Sequence, residues 1–239
     1  MSDRDRPLYA VLIDADNIPA KYAEAIFKEV TTYGEPGLRR VYGDWSSGQL
    51  KGWHEKSMIL GLVAYQQSAN TKGKNASDIG LVIDAMDILH QDRFDGFVLV
   101  SSDSDFTRLA SRIREQGLDV IGIGAEKTPQ SLKNVCNRFV TLENIVDEPE
   151  PVAKGAPRTA AKARSPITDV IPLILNAMDK IDQDDEWYLL GRIGSSIVAA
   201  NPDFDTRTYG KTKLSDLVKE LKRFETRREN NQLYLRRID

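Results

Sequence analysis

The first 146 residues alternate short, unbroken apolar runs with longer stretches of helical spacing, and that pattern admits few folds. The run at 8–13 is apolar at consecutive positions rather than at every second one. That is the signature of a strand buried on both faces. Residues 18–33 follow with Ala23, Ile26, Phe27 and Val30 on one helical face, closed by Gly34 and a Pro36-Gly37 turn. The same reading gives strands at 38–42, 62–66, 96–100, 120–123 and 139–142. It gives helices at 49–58, 77–90 (capped by Ser77), 104–115 and 131–136, with a polar stretch at 68–76. Strands and helices in alternation imply an α/β domain, a parallel sheet covered on both faces. Right-handed crossovers bring every strand's C-terminal end to one edge, and sites in such folds form there.

The pattern breaks at 147–165, DEPEPVAKGAPRTAAKARS, which is rich in Pro, Ala and charge and reads as a flexible linker. Periodicity resumes with amphipathic helices at 167–178, 188–200 and 213–224. Two alternating runs, 224–228 and 232–236, flank the turn signal Glu229-Asn230-Asn231. Three helices and a hairpin describe a small winged-helix-like α+β domain. The expected division is therefore a first domain at 1–146, a linker at 147–165 and a second domain at 166–239.

Composition narrows the function classes. A net charge of −3 provides no overall basic field for a polyanion. A single cysteine, Cys136, excludes a disulfide framework within the chain and a zinc site of several thiolates. It reads as a small half-buried apolar residue. The N-terminal stretch lacks the apolar core of a secretory signal, and no apolar run is long enough for a membrane span. The expectation is a cytoplasmic protein with no membrane partner.

The chemistry lies in where the aspartates fall. Asp14 ends the first strand in VLIDADN, with Asp16 and Asn17 just beyond. Asp103 and Asp105 follow the fourth strand in VLVSSDSDF. Asp78 stands in the first turn of the helix after the third strand. All three segments should reach the same sheet edge. Two unit charges about 4 Å apart repel by roughly 4 kcal/mol at an effective dielectric near 20, so such a gathering calls for a cation or a shared proton. Oxygen-only ligands select hard ions such as Mg²⁺ or Mn²⁺, which suit phosphoryl chemistry. Any one of these aspartates taken alone reads equally well as a helix cap, Asp103 especially.

The segments VLIDADNI, KGKNASDIGLVIDAMDIL, GFVLVSSDSDFTRLA and GLDVIGIG resemble the NYN family of PIN-like domains. The resemblance implies a PIN-like three-layer fold and a Mg²⁺- or Mn²⁺-dependent ribonuclease, although some members are inactive adaptors. It implies that Asp14, Asp78, Asp103 and Asp105 are the catalytic and metal-binding acids. Asn17 would orient a ligand or substrate, and Ser102 would shape the loop that carries Asp103. Asp84 matches a second helical acid but lies six residues beyond Asp78, pointing well away from it on a straight helix. Lys72 and Lys74 precede Asp78 and could clamp a phosphate, with Lys74 preferred by the family pattern. Trp45 and Trp53 read more readily as buried anchors than as stacking platforms. His54 and His90 fit no nucleophile-base arrangement, and Gly122 and Gly124 no phosphate cradle.

Between residues 207 and 237 ten basic side chains face four acidic ones. The segment TYGKTKLSDLVKELKRFETRRENNQLYLRR resembles the LOTUS, or OST-HTH, domain, which implies binding to RNA or to a protein partner. Tyr209, Lys211 and Lys213 are the candidate RNA contacts. The sequence thus points to a metal-dependent endoribonuclease. One rival is an RNA-binding adaptor with a vestigial site. Another is a phosphatase of the haloacid dehalogenase type, whose nucleophile motif Asp14-Ala15-Asp16 resembles, although Ile18 stands where that family has Thr or Val.

Overall fold

The computed structural model describes residues 5–66, 76–146, 165–183 and 185–238, with the backbone alone at 47 and 76–78. The chain divides into two compact units, Met1–Val146 and Asp147–Asp239. All but the last residue of the polar stretch at 68–76, and all but the last residue of the expected linker, fall outside the described residues, as do Lys72 and Lys74.

The first unit runs β1 (Leu8–Asp14), α1 (Ala23–Tyr33), β2 (Glu35–Gly43), α2 (Lys51–Leu60), β3 (Val63–Gln66), α3 (Ala76–Leu89) and β4 (Gly96–Val100). It continues through α4 (Thr107–Glu115), β5 (Asp119–Gly124), α5 (Gln130–Val135), β6 (Arg138–Thr141) and α6 (Leu142–Ile145). The strands form one sheet in the order β3-β2-β1-β4-β5-β6, and every pair is parallel. From β1 the chain moves outward to β2 and β3, then returns to lay β4 on the other side of β1. That reversal opens a crevice at the C-terminal ends of β1 and β4.

Two apolar clusters sandwich the sheet. Tyr9, Val11 and Ile13 of β1 pack with Ile26 and Val30 of α1, Trp53 of α2 and Leu142 of α6. Ala10 and Leu12 pack with Leu81, Ala85 and Ile88 of α3, Leu109 and Ile113 of α4, and Leu132 of α5. Alternate β1 residues thus enter opposite cores, which is why the strand reads as an unbroken apolar run. The result is the expected three-layer α/β domain.

Two local expectations are corrected. The Pro36-Gly37 turn is instead part of β2: Tyr9 pairs with Pro36 and Ala10 with Leu38, so Gly37 is the extra residue of a bulge. A Cβ at Gly37 would overlap the Leu8 side chain, and β3 pairs with β2 only from Arg40 onward, so the missing N–H of Pro36 costs no ladder bond. The helix expected from residue 18 begins after Pro19 as a single 3-10 turn, Ala20–Tyr22, before α1.

The second unit comprises α7 (Ile171–Lys180), β7 (Tyr188–Leu189), α8 (Leu190–Ala200), α9 (Leu214–Glu220), β8 (Phe224–Glu229) and β9 (Gln232–Arg237). Its core joins Ile174 and Met178 of α7, Ile193 and Ile197 of α8, Leu217 and Val218 of α9, and Leu235 of β9. Glu229 pairs with Gln232, and Asn230 and Asn231 take φ of 45° and 63°. Both central residues are left-handed, as a type I′ hairpin turn requires. The short strand β7, whose residues the sequence pattern assigns to the helix at 188–200, pairs antiparallel with β9 and completes a three-stranded sheet, β7-β9-β8.

Candidate metal and nucleic-acid site

Register brings the first two acids together. Ile13 of β1 pairs with Val100 of β4, so Asp14, the last residue of β1, and Ser101, the first after β4, lie at the same edge. Asp14 is in phase with Ala10 and Leu12 and so faces the α3 and α4 side. It is only 4% exposed. Ser101, equally buried, donates its hydroxyl to Asp14 Oδ2 at 2.8 Å and accepts the Asp103 N–H on the same oxygen at 3.1 Å. One serine therefore stitches the carboxylate of β1 to the loop after β4. The other Asp14 oxygen, Oδ1, receives the Asn17 backbone N–H at 3.3 Å. The Asn17 side chain itself is exposed.

Asp103 has the capping role that its position suggested. Its Oδ1 accepts the Asp105 N–H at 2.9 Å and caps the 3-10 turn Ser104–Phe106 that leads into α4. Asp105 is exposed on that turn. Ser102 turns the other way and accepts the Ala125 N–H beyond β5 at 2.8 Å, so it shapes the loop while Ser101 touches Asp14. The loop is also packed tightly from β5: a Cβ on Gly124 would come within 2.6 Å of the Ser101 carbonyl oxygen and 2.7 Å of Thr128 Oγ1. Packing space is the structural reason for that glycine.

Asp78 stands in the first turn of α3, and its side chain is not among the described residues. α3 packs on β1, β2 and the Ser104–Phe106 turn. Asp84, further along α3, is bound by the Arg40 guanidinium and the Tyr42 hydroxyl, both from β2. Burial, and then the Asp84 hydrogen bond, push the Tyr42 phenol well above its usual range. Beside this cluster, at the ends of β2 and β3, Asp44 accepts from Ser46 and Gln66, which hold its carboxyl below the usual range. Asp16 accepts the Asp44 N–H at 3.4 Å.

The donor chemistry at this edge suits a hard divalent cation, because Asp14 and Asp103 offer oxygen only. Among the described residues no three Asp, Glu, His or Cys side chains gather closely enough to hold an ion, so an ion at this edge would need a ligand beyond Asp14 and Asp103. His54 and His90 are exposed on or just after helices. Cys136 is buried, with its thiol on the Leu132 carbonyl, and burial pushes its pKa up to about 12. Trp53 is an anchor, donating its indole N–H to the Ile18 carbonyl at 2.7 Å, and Trp45 does the same to Tyr65 at 2.9 Å.

A sequence model of the NYN domain matches residues 9–143, which contain this whole edge. The chain belongs to the NYN family. A model of the OST-HTH/LOTUS domain matches residues 162–235, so an NYN domain is followed by a LOTUS domain. NYN domains belong to a PIN-like nuclease superfamily, and LOTUS domains in general bind RNA and proteins, which places the chain in RNA-related function. A solved structure from Vibrio parahaemolyticus, of a protein of unknown function, is similar at 22% identity and a TM-score of 0.48, over 59% of this chain and 96% of that one. No curated protein matches.

In the LOTUS domain the three candidate contacts differ in setting. Tyr209 packs its ring on Phe204 at 6.1 Å, half-buried at the rim of the core. Lys211 is paired with Glu220. Lys213 is exposed at the start of α9. Unforeseen from sequence is Trp187, with the Arg227 and Arg236 guanidiniums 4.6 and 4.8 Å from its ring centroid. Arg236 is also paired with Glu225 and Glu186, and Arg227 with Glu229; of these partners only Glu186 lies outside the count of ten basic against four acidic side chains, so most of that excess stands. Among the described residues, no helix is long and apolar enough to cross a membrane.

The sequence pattern missed Ser101, Arg40 and Tyr42. Ser101 was findable from register alone, since it follows the strand that pairs with β1. Arg40 was findable as a charge inside an interior strand, which needs a partner.

Proposed function

We propose that this chain is a divalent-metal-dependent endoribonuclease whose NYN domain cuts RNA and whose LOTUS domain recognises RNA or a protein partner. The observation that supports it best is the stitch at the crevice: inside an NYN domain, the Ser101 hydroxyl binds the Asp14 carboxylate at the end of β1 and the backbone N–H of Asp103 in the loop after β4. Asp14, Asp78, Asp103 and Asp105 are the proposed ligands. Mg²⁺ or Mn²⁺ held there would supply positive charge to a phosphodiester and its departing oxygen. Ser101 keeps Asp14 oriented as an acceptor, and the turn capped by Asp103 fixes the second carboxylate at the start of α4. Asn17, and Lys74 from outside the described residues, are proposed to orient and clamp the scissile phosphate. The LOTUS domain, through Tyr209, Lys211 and Lys213, would raise the local concentration of RNA at the site. The proposed location is the cytoplasm.

The test is cleavage of labelled single-stranded and structured RNA with Mg²⁺, Mn²⁺ or EDTA, by wild type and Asp103→Asn. Cutting that needs the metal and vanishes in the variant, while RNA binding persists, supports the reading. Undiminished cutting by Asp103→Asn refutes it, and binding without cutting in every metal identifies an adaptor.

A further inference from the structure

Asp84 sits on the flank of α3 beside its buried stripe of Leu81, Ala85 and Ile88, while Ile79 and Ile83 point to solvent. Among the described residues it is the one α3 side chain hydrogen-bonded to the sheet. Its two oxygens are divided between two residues of β2: Oδ1 accepts from Arg40, and Oδ2 from Tyr42. Both are kept in place from β3, since Arg40 lies over the Tyr65 ring at 4.9 Å and the Tyr42 and Tyr65 rings are 5.4 Å apart. Tyr42 is almost fully buried and is the register partner of Asp14. Its carbonyl accepts the N–H of Ala15, the residue after Asp14, at 2.8 Å. One tyrosine thus holds the end of β1 through its backbone and α3 through its hydroxyl.

We propose that Asp84 is a positioning residue, which through Arg40 and Tyr42 fixes α3, and the Asp78 in its first turn, against the end of β1 that carries Asp14. This rests on reading the edge as a metal-dependent nuclease site. Asp84 is then no ion ligand itself. Each of its oxygens already accepts from a donor of β2, which turns the carboxylate toward the sheet. A carboxylate suits this position because it accepts from an arginine and a phenol at once, and charge-assisted bonds of this kind are the stronger ones.

The experiment uses the full chain and three variants: Asp84→Asn, Tyr42→Phe, and the double variant Asp84→Asn/Arg40→Gln. The first readout needs no metal: amide hydrogen exchange in α3, with α4 and β5 as internal controls of folding. Asp84→Asn strands the Arg40 charge, so exchange in α3 should quicken about tenfold while α4 and β5 hold. Tyr42→Phe, which keeps the Arg40 bond, should give a smaller change and serves if Asp84→Asn does not fold. The double variant restores a neutral amide pair and should recover most of the protection. The second readout is titration with Mn²⁺ alone. The proposal predicts affinity about tenfold weaker in Asp84→Asn, an unchanged number of ions, and recovery in the double variant.

Unchanged exchange in α3 would overturn the proposal. So would loss of a bound ion in Asp84→Asn that the double variant does not restore, because that is the behaviour of a ligand. A wild type that binds no Mn²⁺ would instead overturn the nuclease reading, and the exchange data alone would then decide the anchor.

Discussion

Replacing Ser101 with alanine removes one oxygen and breaks two bonds. Asp14 Oδ2 loses its hydroxyl donor, and the Asp103 N–H loses its acceptor. Both Ser101 and Asp14 are under 5% exposed, so water cannot readily fill the gap. A hydrogen bond to a charged group contributes about 1.5–3 kcal/mol and a neutral one about 0.5–1.5 kcal/mol. The sum for Ser101→Ala is a loss of about 2–4.5 kcal/mol in the stability of the NYN domain. Urea unfolding in EDTA reads this directly. Tryptophan fluorescence in a Trp187→Phe background reports on that domain alone, because Trp45 and Trp53 both pack in its core. With a denaturant slope of about 2 kcal/mol per molar, the midpoint should fall by about 1–2 M. Ser102→Ala is the control. Its hydroxyl accepts the Ala125 N–H at 2.8 Å, and its loss should cost only about 0.5–1.5 kcal/mol. If Ser101→Ala costs no more than Ser102→Ala, the stitch between β1 and β4 does not carry the weight given to it.

Gly124→Ala should cost about 1–3 kcal/mol, because the new methyl meets the Ser101 carbonyl at 2.6 Å, and it should disturb the Asp103 loop, seen as amide shifts at 101–103. Cys136 titrates only near pH 12 in the folded protein, against 9.0 as its ordinary value. Its neutral burial therefore favours folding fully below about pH 9, and that contribution is lost as pH rises toward 12. Iodoacetamide at pH 8 should accordingly leave the native thiol unlabelled over hours and modify it at once in urea, and rapid native labelling would contradict its burial.

The fold was legible wherever burial alone dictates the residue. β1 enters two cores at once, so it had to be apolar throughout, and the alternation of strand and helix then required a parallel three-layer sheet. The Asn230-Asn231 turn was legible for a related reason, since only a few residues accept two left-handed positions in succession. Illegible were features set by a distant partner. Pro36 and Gly37 looked like a turn because the bulge that accommodates them depends on Leu8 and on how short β3 is. The two residues of β7 are too few to show any period, and only β9 makes them a strand. At the site, the motif spacing pointed to Asp14 and Asp103 but not to what binds them. Ser101 reaches Asp14 across 87 positions, and Tyr42 reaches Asp84 across 42, distances over which only strand register or helix packing carries information.

The central claim is that carboxylates from β1 and the loop after β4 share one divalent ion. Crystals of the full chain soaked in Mn²⁺ and measured at an anomalous wavelength test it most directly. The account predicts an anomalous peak about 2.0–2.2 Å from oxygens of Asp14 and Asp103, with Asp78 also in its coordination shell, and its loss in Asp14→Asn. A crevice without a peak at millimolar Mn²⁺, or a peak that survives Asp14→Asn and Asp103→Asn together, would contradict it.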